Sequence, residues 1–324
     1  MRLQQGDHDA ARADLTEMLG LMRARDDTYF FGWLPHVMEA ILREAVAAGI
    51  ERAFAQRLAF ERLNRAILPD GTPLPVLDLR LLGDLQFSVD GEAILDAAAL
   101  TPAQRDLITL LAAADNLSLS QEQLQLAFWP DASTEKARAN FDGLLARTRK
   151  SLSAVLKPHG GKQYLSLEKS ILSLRHCRVD THEFMRLAQE GLDHARRDNL
   201  WQGRLTLEAT VRRWTGEPWR PAQHTEGWFV FTERLRGVYR EAGLQLAALH
   251  EGRGEPEAAI EALQSVFENE PTDPRIATEL HRLHLKKGDT LQARRLEHRY
   301  QQALEQAGCE EDEAEELLDG LWAG

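Results

Sequence analysis

Cysteine is scarce. Cys177 and Cys309 are the only two in 324 residues, too few for a disulfide framework, and they point to a reducing compartment. Long apolar runs are absent too: no stretch approaches the roughly 20 residues that cross a bilayer. No charged-then-apolar leader opens at Met1, so the sequence reads as cytoplasmic, with no membrane partner. Nor is there a surplus of positive charge. The 39 Lys and Arg stand against 51 Asp and Glu, a formal net charge of −12, which argues against a polyanion binder over the whole surface.

Signatures of catalysis are also missing. Gly160-Gly161-Lys162 is followed by Gln163, where a phosphate-binding loop needs Ser or Thr to hold magnesium. His281 and His284, with His298 nearby, have no cysteine or carboxylate set to complete a zinc shell. His176-Cys177 has no evident partner, and there is no nucleophile elbow or paired-carboxylate signature. The expectation is a protein without cofactor or metal and without catalytic residues.

What is present is a folded chain, 43% hydrophobic and 28% charged, long enough for two or three domains. Its positive charge is concentrated. Between Ser133 and Arg178 there are ten Lys or Arg against three acids, a net of +7, which leaves −19 for the rest. A basic island on an acidic body marks a grafted nucleic-acid module.

The island is centred on Ser133 to Leu156. Ala137, Phe141, Leu144, Leu145, Thr148, Leu152 and Val155 recur at the three-and-four spacing of a buried helical stripe. Opposite them lie Ala139, Gly143, Ala146 and Lys150, with Lys136, Asn140 and Arg147 along one edge and Arg138 and Arg149 along the other. Small residues on a crest between cationic rims suit a helix in a DNA groove, where the backbone approaches base edges and the rims reach phosphates. Gly143 costs about 1 kcal/mol inside a helix, so a function should offset it. A surface helix with solvated charges, or a small-residue seam between helices, fits the same pattern.

The flanking periods place this helix. The Gly6-Asp7-His8-Asp9-Ala10-Ala11 stretch opens an amphipathic run through Leu15, Leu19 and Met22. A second helix runs from Leu34 to Ala48 with Val37, Ile41, Leu42 and Ala45 inward, and a third from Arg52 to Ile67. Pro69 to Pro73 and Pro75 mark a linker. Leu77, Leu79 and Leu81 then alternate, and Leu85 to Val89 alternate again before an Asp90-Gly91 hairpin turn. Thr101-Pro102 starts a helix ending at Ala114, and Ser118 or Ser120 caps the next, which stops at Trp129-Pro130. After the basic helix, Lys162 to Leu167 and Ile171 to Arg175 read as a hairpin with Glu168-Lys169-Ser170 at its tip. Sheet, three helices and hairpin is the order of a winged helix-turn-helix.

These residues also resemble a family. Leu79-Arg80-Leu81-Leu82-Gly83, the Asp90-Gly91 turn, Leu124 through Phe128-Trp129-Pro130-Asp131, Ala137-Arg138-Ala139-Asn140 and Arg147-Thr148-Arg149-Lys150-Ser151-Leu152 are similar to the response-regulator type of winged helix in bacterial transcriptional activators of the antibiotic-regulatory type. That family usually has leucine where Thr148 stands and a longer glycine-rich approach to the wing. Asp180-Thr181-His182-Glu183-Phe184 resembles the passage into its second part, the bacterial transcriptional activator domain, a tetratricopeptide-like solenoid. Trp214 to Trp219 and Gly227-Trp228 fit that domain's irregular connector. The likeness covers roughly Leu77 to Trp322. Ala48-Gly49-Ile50-Glu51 and the helices before it resemble the last repeats of the sensor array that precedes this module in large regulators.

The repeat also stands without the resemblance. Gly254-Glu255 with Ala258-Ala259 returns as Gly288-Asp289 with Gln292-Ala293, a period of 34 residues. Trp201, Trp214, Trp219 and Trp228 read as packing, and Glu310 to Glu316 as a solvated acidic segment. The predicted organisation is mainly α with small β: a helical repeat segment at 1–68, a linker at 69–76, a winged helix-turn-helix at 77–178 and a tetratricopeptide-like α-solenoid at 179–324. The predicted DNA contacts are Lys136, Arg138, Asn140, Gly143, Arg147, Arg149, Lys150 and, on the wing, Lys169. The expected function is promoter binding by a transcriptional activator, with double-stranded DNA as partner and homo-oligomers formed on it. The resemblance adds RNA polymerase as a partner of the repeats. A repeat scaffold that binds proteins without DNA is the alternative, favoured by Asp142 on the groove side and by the overall acidity.

Overall fold

The computed structural model describes residues 8–157, 159–222 and 225–309. The Gly6-Asp7 start of the first helical run, the acidic segment from Glu310 and Trp322 lie outside them. The described chain is mainly helical with small sheets. Its contacts divide it into two units: residues up to Leu79 together with Gln86–Arg178, and Arg80–Leu85 together with residues from Val179 onward.

The first unit opens with α1 (His8–Arg25), α2 (Pro35–Ala48) and α3 (Arg52–Leu63). Leu19, Leu42, Val46 and Leu58 lie at the centre of their core. On α2 the inward face is rotated from the expected one. Met38, Leu42, Ala45 and Val46 are buried, Ile41 packs at the margin, and Leu34 and Val37 are exposed. α3 ends four residues early, where Asn64 takes a left-handed conformation (φ 56°). The chain then forms β1 (Arg65–Ile67), paired antiparallel with β2 (Pro73–Pro75). The stretch expected to be a linker therefore holds a strand. No local period shows this, because its partner lies across a turn.

β3 (Leu77–Arg80), β4 (Gln86–Val89), β5 (Glu92–Asp96) and β9 (Cys177–Val179) make a four-stranded sheet in the order β5-β4-β3-β9. Asp90 and Gly91 both have positive φ (52° and 83°), as a two-residue type I′ hairpin requires. Next come α4 (Pro102–Ala113), β6 (Ser118–Ser120), α5 (Gln121–Phe128) and α6 (Thr134–Val155). Thr101 with Gln104 and Ser120 with Gln123 form the capping boxes that start α4 and α5. After α6, residues Gly161–Tyr164 form a short helix, α7, where the sequence suggested a strand. The wing is β7 (Leu165–Glu168) and β8 (Ile171–Leu174), with β6 on the other side of β8.

Side chains bind the N-terminal helices to this sheet. The Arg178 guanidinium donates to the Asn64 side chain and the Phe60 carbonyl and lies over the Phe60 ring, 4.9 Å from its centre. Arg65 and Asn64 donate to the Asp90 carboxylate at the β4–β5 turn. The buried Tyr164 hydroxyl donates to the Pro75 carbonyl at 2.8 Å.

The second unit is a tetratricopeptide-like array: α8 (Asp180–Arg196), α9 (Leu200–Arg213), α10 (Glu226–Gly252), α11 (Pro256–Asn269), α12 (Pro274–Lys286) and α13 (Thr290–Gln306). Small residues set its closest crossings. A Cβ on Gly191 would sit 2.8 Å from the Leu207 side chain, and one on Gly243 2.4 Å from Val266. Asp273 caps α12 and Pro274 fills its first position, so Pro271 to Pro274 does separate two helices. Trp214 stacks on Tyr239 at 4.3 Å, and Trp228 is buried. Trp219 is half-buried, whereas Trp201, expected in the packing, is 59% exposed beneath the Arg204 guanidinium. Residues 80–85 also bond into this unit. Leu81 and Leu82 donate their amides to Asp180, and Trp219 donates its amide to the Leu81 carbonyl.

Candidate nucleic-acid interface

The centre of the site is α6. Ser133 caps it by accepting the Lys136 amide, and the predicted stripe forms its inner face: Ala137, Phe141, Leu144, Leu145, Thr148 and Leu152 are buried, with Val155 partly covered. The Thr148 hydroxyl donates to the Leu144 carbonyl at 2.8 Å. That bond satisfies a polar group in an apolar layer, which lets threonine occupy a place in the buried stripe. Ser151 accepts from Gln104 and joins α6 to α4.

On the outer face Lys136, Arg138, Ala139, Ala146, Arg147 and Lys150 are exposed, and Asn140 and Gly143 are half-exposed. Arg147 lies back along the helix, its Nη1 3.4 Å from where a Cβ on Gly143 would be. Among the described residues, none of Lys136, Arg138, Arg147 and Lys150 is held in an ion pair, and cations outnumber acids on this face. Two acids, Glu135 and Asp142, are exposed on α6 among these cations.

Arg149 differs from the other predicted contacts. Its Nε and Nη2 both donate to the Leu165 carbonyl, at 3.0 and 2.8 Å, where the wing begins. Burial lowers its pKa. The side chain is half-buried and turned toward the wing rather than outward with Arg147. Lys169 stands exposed at the wing tip in a left-handed turn with Ser170 (φ 48° and 63°). Beside it Glu168 is occupied by Ser166 and Arg175; the Ser166 hydrogen bond and then the Arg175 charge hold its carboxyl below the usual range.

Between α6 and α7 lies a cleft of about 490 Å³ lined by Ala146, Arg149, Lys150, Ser153, Gly160, Gly161, Lys162 and Gln163. Lys162, exposed at its rim, does not stand out in the sequence, because a strand reading of Lys162 to Leu167 gives it no particular direction.

The remaining candidates have packing roles. Burial pushes the Cys177 thiol up to about 12, so it stays protonated at neutral pH. His281 is paired with Glu297 at 2.7 Å, and burial lowers the pKa of His284. Among the described residues no three His, Cys, Asp or Glu side chains gather as a metal shell, and no helix is long and apolar enough to cross a membrane.

Comparison with known proteins agrees with this architecture. No curated protein matches the chain significantly. Residues 240–283, in α10 to α12, match the family model described as tetratricopeptide repeat. Among solved structures, the chain is similar to Mycobacterium tuberculosis EmbR in complex with a low affinity phosphopeptide, at 21% identity and a TM-score of 0.56. The likeness covers 76% of this chain and 65% of the EmbR chain, just under two thirds of its length. What this chain shares with EmbR at that identity is the fold.

Proposed function

We propose that this chain is a sequence-specific DNA-binding regulator of transcription, an activator, with α6 as its groove-reading helix. The observation that carries the reading is the outer face of α6: small side chains along the crest, and Lys136, Arg138, Arg147 and Lys150 exposed and outside any ion pair among the described residues, in a protein of net charge −12. Arg138, Asn140 and Arg147 are assigned to bases and adjacent phosphates, Lys136 and Lys150 to the flanking strands, Gly143 to close backbone approach, and Lys169 to the backbone beside the wing. Arg149 acts on DNA through the wing it holds. A dimer or tandem arrangement follows from base-pair economy, since one helix reads too few positions for specificity in a genome. The repeats serve oligomerisation or polymerase contact.

The test is retention of the full chain on a mixed-sequence duplex at low salt. Binding should weaken steeply as salt rises, and Arg147→Ala should reduce the slope of log affinity against log salt by about one. A second reading, the protein-binding scaffold, is favoured by Asp142 on the crest and by the overall acidity. A wild-type chain that ignores both heparin and duplex would establish it.

A further inference from the structure

We propose that the cleft between α6 and α7 seats one phosphodiester of the duplex backbone between Lys150 and Lys162; this rests on the DNA-binding reading above. The cleft is continuous with the crest, because Ala146 and Lys150 belong to both. Among the described residues, no carboxylate lines it. Both lysines are exposed, and neither is held in an ion pair among the described residues.

The floor is built rather than loose. Ser153 Oγ donates to the Arg149 carbonyl at 2.8 Å and accepts the Gly161 amide at 2.6 Å, so the hydroxyl is used in both directions. A Cβ on Gly161 would lie 2.3 Å from the Arg149 carbonyl oxygen, so α7 sits directly against the α6 backbone. Arg149, tied to Leu165, holds the far side. Two mobile ammonium groups over a rigid polar floor suit a tetrahedral monoanion approached from outside, for which lysine serves as a point charge. Among the described residues no aromatic ring lines the cleft, which gives a nucleotide base no stacking partner from them. The backbone of the strand flanking the groove is therefore the favoured source of the phosphate.

The experiment measures affinity of the full chain for a fluorescent mixed-sequence duplex between about 50 and 200 mM salt. Loss of one phosphate contact lowers the salt slope by about 0.9, so the ratio of wild-type to variant affinity should shrink about 3.5-fold across that range. That result is expected for Lys162→Gln and for Lys150→Gln, with Lys162→Arg restoring the wild-type slope and thermal melting unchanged in each. If Lys162→Gln keeps the wild-type slope while Arg147→Ala lowers it, the cleft assignment is wrong and DNA binding stands. If the wild type does not bind duplex, both fall. Binding of ATP without DNA, lost in Lys162→Gln, would give the site to a free nucleotide and overturn the duplex assignment.

Discussion

The Arg149 guanidinium donates twice to one acceptor, the Leu165 carbonyl, and so fastens the end of the groove helix to the first residue of the wing. Hydrogen bonds from a charged donor contribute about 1.5–3 kcal/mol, and removing the donor leaves a buried carbonyl unpaired. Arg149→Ala should therefore destabilise the protein by about 2 kcal/mol in urea titration, with faster hydrogen exchange in β7. Arg147→Ala, lacking such a bond, should leave stability within about 0.5 kcal/mol of wild type. Equal stability of the two variants would remove Arg149 from the structural role.

Gly143 separates stability from binding. The only obstacle to a Cβ there is the flexible end of Arg147 at 3.4 Å, and replacing an interior helical glycine by alanine gains about 1 kcal/mol. Gly143→Ala should raise the melting temperature and lower DNA affinity together. A variant that gains stability and keeps full affinity would show that the crest does not approach the bases closely.

Arg178 holds α3 and the sheet in one unit. Its bonds to Asn64 and the Phe60 carbonyl, and its position over the Phe60 ring, predict a loss of about 2 kcal/mol in Arg178→Ala. The loss should appear first as faster exchange in α3. Arg178→Lys restores the charge without the planar fork and should recover only part of it. Full recovery would mean that charge alone matters.

Acid sensitivity should come in part from Glu251 in the repeat array. Hydrogen bonds from Arg282 and Lys286 hold its carboxyl down at about 2, well below the ordinary 4.5 of a glutamate. A carboxylate lowered on folding stabilises above its unfolded value, and that contribution is lost as pH falls from about 4.5 toward 2. Urea titration across this window should show wild type and Glu251→Gln converging as pH drops. A constant difference between them would show that the clasp is not the group being titrated.

Much of this architecture is legible in single residues, and the misses share a cause. The basic helix, expected from Ser133 to Leu156, runs from Thr134 to Val155, because a serine cap and a 3.6-residue apolar period are local signals. α7 was unreadable: its seat depends on Gly161 fitting against the Arg149 carbonyl and on Tyr164 reaching Pro75, contacts far apart in sequence. The overrun of α3 into Ile67 has the same origin, since the competing pairing of Ile67 with Pro73 lies outside any helical period. At the site, the exposed cations on the crest could be read from a helical wheel. The different role of Arg149 could not, because a wheel places it on a rim without showing the carbonyl that captures it.

The carboxylate of Asp180 takes its amides from residues 99 and 98 positions upstream. During synthesis, at about 5–20 residues per second, Leu81 and Leu82 join the chain roughly 5 to 20 s before their acceptor does. The strap is thus already made when Asp180 opens the first helix of the repeat array, so that helix can capture it before the later repeats exist.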